Sequence, residues 1–325
     1  MIFMAKLRLR TLKINNNSNK TVAEIHEEYM SYCKSIGQRE GTLESKSLFY
    51  KYQIPKIVNV EDTINQFNKH IIEKHINEMI DKGHKGNYYK TFIIKLKAFL
   101  SYCFKREYLE KFEVKIPNVS LEKKAIYTEA EVETLLRKPN LKECLVGDYR
   151  SWVSINFLIA TGCRSETLLN VRVKDINFEN ENILFRHMKT KRQINVPLSD
   201  TLKVVLQEYI PNLQLKDDDI LFPKLNGEKM CYNTLHQNIT SYFKHCKVKM
   251  RGVNTFRNTF STLFIKNGGD IYRLKTQLAH AKITTTERYI NLLPLELQDD
   301  LLRYNPLDVL SKKNRKVKLN RDKKK

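Results

Sequence analysis

Apolar side chains return every three or four residues through most of this chain, and the places where that rhythm breaks restrict what it can fold into. The first stripe follows a capping-box pattern, Thr21 with Glu24, and runs Val22, Ile25, Tyr29, Cys33. Further stripes occupy Leu43 to Tyr52, then Ile71, Ile72, His75, Ile76, Met79 and Ile80 ahead of Gly83, then Tyr89, Phe92, Ile93, Leu96, Phe99, Leu100 and Cys103. Each gives a helix one face to bury, so this half predicts four or five helices and no strand. Between Phe112 and Tyr127 the period is lost among charges, Pro117, Asn118 and Ser120, which reads as a linker.

A second capping box, Thr128 with Glu131, opens a new set of helices. Trp152 to Ile159 is apolar almost all round, as a buried helix requires. After Arg164 the pattern turns to strands: Ile176-Asn177-Phe178, Asn182 to Phe185 and Gln193 to Pro197 alternate or use β-branched residues between turn-formers, predicting a three-stranded antiparallel sheet. Helical spacing resumes from Thr201 to about Tyr304, with a break from Pro211 to Gly227. The expected architecture is mainly α, in two domains. A basic flexible arm at 1–20 precedes a helical domain at 21–111, the linker at 112–127, a mixed α-helical domain carrying the small sheet at 128–305, and a basic tail at 306–325.

A chain of 325 residues can bury two cores. Lys and Arg number 58 against 36 Asp and Glu, a net charge of +22 that no folding requirement explains. Such a surplus favours a polyanion, and nucleic acid is the expected partner. A membrane is not, since no apolar run approaches the roughly 20 residues that span a bilayer. The opening Met1-Ile2-Phe3-Met4-Ala5-Lys6-Leu7-Arg8 lacks the apolar core of a secretory signal, which predicts a cytoplasmic protein. Cys33, Cys103, Cys144, Cys163, Cys231 and Cys246 form no Cys-x-x-Cys pair, so reduced thiols and no zinc site are expected.

Residues suited to chemistry fall in the second domain. Gly162, within Thr161-Gly162-Cys163-Arg164, permits a tight turn that leaves Arg164 beside the core, where a guanidinium needs an anion. A salt bridge to Glu166 or Asp175 would meet that need too. Lys189 lies between two strands, in His187 to Arg192; solvation explains it, and so does use as a general acid, because neighbouring cations lower an ammonium's pKa. Asn254 and Arg257, three apart, put two donors on one helical face. Arg257, His280 and Tyr289 follow one another at offsets of 23 and 9 residues. Taken singly, such a histidine and tyrosine read as packing residues. As a set, two arginines, a lysine, an asparagine, a histidine and a tyrosine without paired carboxylates suit phosphoryl transfer by positioning and charge stabilisation, with neither metal nor nucleotide cofactor. In the first domain Lys90, Lys95 and Lys97, with Lys85 leading in, lie off an apolar stripe; they would track a DNA backbone or simply be solvated. Lys191 and Arg192 are further candidates for DNA contact.

Read in order, these motifs resemble the tyrosine recombinases, which include phage and transposon integrases and chromosome-dimer resolvases. Thr161 to Arg164 is similar to their first arginine motif and Arg257-Asn258-Thr259-Phe260 to their second. Leu278-Ala279-His280 resembles their Leu-Gly-His, Thr285 to Tyr289 their nucleophile segment, and Lys189 ahead of Val196-Pro197-Leu198 their β-hairpin lysine. The likeness spans about residues 20 to 305. It implies a core DNA-binding domain at 21–111, a catalytic domain at 128–305, and a site-specific recombinase or integrase of a mobile element. Tyr289 would attack the scissile phosphate to form a 3′-phosphotyrosine and Lys189 would protonate the departing 5′-oxygen. Arg164 and Arg257, with Asn254 or His280, would neutralise the phosphate. The family also implies a homotetramer on two DNA duplexes. Two positions depart from its pattern. Asn254 stands where histidine is usual and Thr167 where an acid is, with Glu166 one place early. Asparagine can donate to a phosphate oxygen but is no base near neutral pH. A catalytically weakened DNA-binding regulator of the same fold is therefore one alternative, and type IB topoisomerase-like nicking and rejoining another. A metal-dependent nuclease is disfavoured, because Asp217-Asp218-Asp219 are consecutive and cannot converge on one ion from a regular element.

Overall fold

Both capping boxes close helix N-termini. Thr21 Oγ1 accepts from the Glu24 N–H at 3.2 Å while Glu24 accepts from the Thr21 N–H at 2.8 Å; Thr128 and Glu131 repeat the exchange at 3.2 and 2.9 Å. A computed structural model describes residues 19–117, 125–186, 193–280 and 282–290, and the chain divides into two units, Met1–Glu122 and Lys123–Lys325.

The first unit contains α1 (Val22–Ser35), α2 (Glu40–Gln53), α3 (Lys69–Asp81) and α4 (Gly86–Lys105). Its core is built from the stripes read in the sequence: Val22, Ile25, Tyr29 and Cys33 from α1, Ile72, Ile76 and Met79 from α3, Phe92, Ile93, Leu96 and Phe99 from α4. Helix α2 buries no residue fully and instead leans Phe49 and Tyr50 on that core. Tyr50 stacks on His26 with ring centroids 3.6 Å apart; burial pushes the His26 pKa down to about 4, so the ring is neutral and packs as an aromatic.

In the second unit α5 (Glu129–Leu136), α6 (Val146–Thr161) and the short α7 (Ser165–Leu168) precede the sheet. Strands β1 (Ile176–Asn177), β2 (Asn182–Phe185) and β3 (Ile194–Pro197) pair antiparallel in that order, Ile176 opposite Ile183 and Ile183 opposite Val196. Helices α8 (Asp200–Asn212), α9 (Tyr232–His245), α10 (Thr255–Lys266), α11 (Ile271–Gln277) and α12 (Thr284–Ile290) follow. Helix α6 is the centre: Trp152, Val153, Ile155, Phe157 and Leu158 are all buried, and α5, α7, α8, α9 and α10 pack round it. The mainly α architecture with a small three-stranded antiparallel sheet is what the changes of period predict.

Two local readings differ. The stretch expected as linker is packed at both ends: Val114 belongs to the first core and Tyr127 to the second, where the Tyr127 N–H donates to Thr259 Oγ1 at 2.9 Å. An irregular segment anchored by single side chains has no period to detect. The break expected at Pro211 comes one residue later, because proline in a last turn forfeits one backbone bond and α8 still closes at Asn212. The buried face of α10 is largely polar. Thr255, Arg257, Thr259, Ser261 and Thr262 are buried beside Phe256, while Phe260 and Phe264 are only partly covered.

Candidate active site

Arg257, in the first turn of α10, is only 6% exposed. A guanidinium carries five N–H donors and accepts nothing. Here Nη1 donates to the Gly162 carbonyl at 3.0 Å, and Nη2 donates to the Leu278 carbonyl at 2.9 Å and to His280 Nε2 at 2.7 Å. The side chain thus ties the end of α6 to the turn after α11. Burial, then the charge of nearby Arg164, pushes its pKa down to about 10, against which hydrogen bonding and charge from Tyr289 act. The two arginines and the tyrosine, 125 residues apart from first to last in the chain, therefore meet in one site.

Arg164 caps α7 and is half-buried, and its Nη1 is buried with no hydrogen-bond partner among the described residues. The sequence alternative, an ion pair with Glu166 or Asp175, is not formed among the described residues. Asp175 instead takes the Arg186 Nε–H and the Arg172 backbone N–H. Unsatisfied buried donors are rare because each forfeits a hydrogen bond to water. The turn that presents Arg164 depends on Gly162, which adopts φ 62°; a Cβ there would stand 2.2 Å from Phe260 Cδ1. Close approach of α10 to α6 thus needs a glycine, and the Gly162 carbonyl is one of the acceptors that hold Arg257.

His280 is 7% exposed and Tyr289 is 3% exposed, with their rings 6.3 Å apart and nearly parallel. On the far side of the imidazole, Nδ1 lies 2.9 Å from Thr286 Oγ1, a side chain with no exposed area. Ala279, at the position where the resembling motif has glycine, takes φ 49°, the left-handed conformation that favours glycine.

Asn254 precedes α10 and turns its Oδ1 toward α7, accepting from the Ser165 N–H at 3.5 Å and the Ser165 hydroxyl at 3.4 Å. That orientation commits the carbonyl end and leaves the amide donors for another acceptor. Beside it opens a groove of about 830 Å³ lined by Ser165, Asn170, Lys229, Tyr232 and Asn254 among others.

The structure therefore brings Arg257, His280 and Tyr289 together with Arg164, and sets Asn254 one hydrogen bond from Ser165, the residue after Arg164. Lys189, Lys191 and Arg192 lie outside the described residues. The remaining lysines belong to the first unit. Lys90 and Lys97, seven apart on α4, share a face, whereas Lys95 lies about 140° round the helix. There it donates to Ser45 Oγ at 2.8 Å, while Lys97 donates to the Val114 carbonyl at 3.1 Å. Lys85 is the residue before α4. Two contributors escaped the sequence reading, Ser165 and Thr286. A hydroxyl carries no periodic signal, and only the fold sets these two against Asn254 and His280.

A mostly helical unit with a three-stranded sheet, in which an arginine pair and a histidine enclose a tyrosine, defines a class of enzyme that breaks and joins DNA strands. Residues 126–296 match the Phage integrase family, and the chain belongs to that family and is a tyrosine recombinase. Among its relatives, the tyrosine recombinase XerD of Staphylococcus haemolyticus is 25% identical over 293 residues, covering 87% of this chain and 98% of that protein. Tyrosine recombinase XerD of Pseudomonas aeruginosa is 25% identical over 244 residues, covering 71% and 80%. Among solved structures, the Tn1549 transposon integrase in complex with a circular intermediate DNA superposes with a TM-score of 0.69 at 18% identity, covering 83% of this chain and 94% of that one. A lambda integrase tetramer bound to a Holliday junction gives 0.67 at 17% identity, covering 86% and 84%. Identities this low speak for the fold.

Proposed function

We propose that this tyrosine recombinase is a site-specific integrase of a mobile element, acting in the cytoplasm on double-stranded DNA through a 3′-phosphotyrosine at Tyr289. The observation that carries the reading is the meeting of Tyr289 with Arg257 beside Arg164, whose buried Nη1 has no partner among the described residues. A phosphodiester is an anion that such a donor accommodates, and two guanidinium groups suit the charge that accumulates on phosphate oxygens during transfer. The Tyr289 oxygen attacks phosphorus, the P–O5′ bond breaks, and Lys189 gives the departing oxygen its proton. The energy of the broken bond is kept in the new ester, so a 5′-hydroxyl from a second duplex reverses the step without nucleotide hydrolysis. Asn254, its carbonyl held by Ser165, donates an amide hydrogen to the same phosphate.

The net charge of +22 supports DNA binding. We assign the first unit, with Lys85, Lys90, Lys95 and Lys97, to core DNA contact and the second to catalysis, with Lys191 and Arg192 as further phosphate contacts. A homotetramer on two duplexes is the working assembly, in keeping with the fold shared with the lambda integrase tetramer on a Holliday junction. The test is recovery of protein covalently attached to genomic DNA, followed by sequencing of the attached ends. The reading expects a defined junction sequence and an adduct lost in Tyr289→Phe. Specific DNA binding without any adduct would instead support the weakened regulator that Asn254 and Thr167 suggest, and an adduct persisting in Tyr289→Phe would sink the nucleophile assignment.

A further inference from the structure

His280 has two ring nitrogens and both are engaged, which settles its protonation. Nε2 lies 2.7 Å from Arg257 Nη2, and a guanidinium nitrogen can only donate. Nε2 must therefore offer its lone pair. The single proton of the neutral ring is on Nδ1, where it is donated to Thr286 Oγ1 at 2.9 Å. In this state His280 is an acceptor poised beside a phenol, with no hydrogen at Nε2 to offer a phosphate. The ring of Tyr289 lies nearly parallel to it at 6.3 Å, and Tyr289 acts electrostatically on the same guanidinium that donates to His280. Asn254 cannot take a proton near neutral pH, so among the described residues of the site His280 is the imidazole where proton acceptance can reside.

Resting on the recombinase reading above, we propose that Thr286 is a positioning residue that holds His280 as the Nδ1–H tautomer, and that His280 is the base that receives the Tyr289 proton once phosphate draws Arg257 away from Nε2. The phosphate competes for the Nη2–H that now caps the lone pair. As it wins, Nε2 is uncovered while the phenol is brought to phosphorus. The Tyr289 Oη–H proton passes to Nε2, the Oη–P bond forms, the P–O5′ bond breaks, and the leaving oxygen takes its proton from Lys189. The imidazolium left behind has both nitrogens protonated: Nδ1–H still faces Thr286 and Nε2–H faces the anionic phosphate. Rejoining returns that proton to Tyr289. Substrate thereby uncovers the base, and because Thr286 and Tyr289 share α12, the helix that carries the nucleophile also orients the acceptor.

The charged and titratable groups around His280 favour this order of events. Arg257 on α10, itself opposed by the charge of Arg164, is the cation that touches the ring. Cys163, whose thiol burial pushes up to about 11, stays neutral. With a guanidinium donating to Nε2, that nitrogen has no free lone pair to take a proton until a phosphate draws the donor away.

Two measurements decide it. The first needs no DNA: nitrogen-15 imidazole spectra of the full chain, with His280 assigned by its loss in His280→Gln. The expected signature is protonated Nδ1 and bare Nε2, lost or mixed in Thr286→Val and kept in Thr286→Ser. A protonated Nε2 in the wild type overturns the proposal whatever the protein does to DNA. The second is single-turnover covalent-adduct formation on a nicked DNA carrying the mapped junction. Glutamine can donate to a phosphate but cannot accept a proton, so His280→Gln should slow adduct formation on the order of a hundredfold near neutral pH and recover as pH rises. Thr286→Val should fall about tenfold with a displaced pH profile, and Thr286→Ser should restore both. A His280→Gln rate within about threefold of wild type at all pH values would show that the histidine only donates to phosphate. No adduct by wild-type protein on any DNA would count against the recombinase reading alone, since the tautomer is measured without it.

Discussion

Removing the positive charge at Arg164 should make the DNA-free protein more stable while destroying its affinity for a phosphate. Displacement of the Arg257 pKa from 12.5 to about 10 corresponds to roughly 3 kcal/mol of opposition to its charge, burial being the larger cause and Arg164 the next. Because the folded-state value lies below the unfolded one, that opposition is complete at every pH below about 10 and relaxes only between about 10 and 12.5. Between pH 6 and 9 it is constant, so deleting a charge is the informative perturbation. With Arg164 the second cause after burial, and with relief from its unsatisfied buried Nη1 added, Arg164→Gln should gain on the order of 1 kcal/mol. In a unit of this size that raises the midpoint of thermal unfolding by about 2–4 °C. Arg164→Lys keeps the charge and should show little of the gain. Inorganic phosphate or sulfate should stabilise the wild type by filling the pocket, and should do much less for Arg164→Gln. Thermal unfolding followed by circular dichroism, with and without anion, reads both effects. A destabilised Arg164→Gln that still responds fully to sulfate would mean the two arginines do not form one anion site.

Gly162→Ala should cost about 2–4 kcal/mol in urea unfolding, since it imposes a left-handed alanine and drives a methyl into Phe260; a loss below about 1 kcal/mol would refute the close approach. Ala279→Gly should instead stabilise by about 1 kcal/mol, because glycine adopts φ 49° without the penalty borne by alanine, and an unchanged midpoint would count against that backbone. Asn254→His should keep or raise adduct formation, whereas Asn254→Leu, which leaves the Ser165 donors unpaired and removes the amide, should lower it about tenfold or more; equal rates in all three would discard the phosphate contact.

What the sequence disclosed and what it hid divide along a physical line. Thr21 with Glu24 and Thr128 with Glu131 were readable because a capping box is a contact across three residues. Ile183 and Val196 were readable as strand residues because β-branched alternation is local, and their pairing follows from the short connection between strands. Tyr127 falls in an aperiodic stretch because its partners, Thr259, Gly252 and Arg251, lie more than 120 residues away and impose no pattern on their surroundings. Arg164, Arg257, His280 and Tyr289 were named as a set through their order and spacing, whereas their hydrogen-bond roles were not legible. That His280 accepts from Arg257, and that Thr286 fixes which nitrogen carries the proton, depends on distances of a few ångströms between elements the sequence cannot orient.

Arg257 and Arg164 do different work despite sharing a charge. Arg257 commits three of its five N–H donors to Gly162, Leu278 and His280, so it assembles the end of α6 and the turn after α11 before any substrate arrives. Deleting it removes charge and scaffold together, and a dead variant at that position says little about electrostatics. Arg164 has a buried donor with no partner among the described residues, a defect in the free protein that becomes an asset when an anion binds. An interaction absent in the empty site and made with the developing charge is the kind that speeds a reaction, since it adds nothing to the stability of the starting state. Loss of rate in Arg164→Gln together with a gain in stability would therefore report transition-state stabilisation more cleanly than any substitution of Arg257.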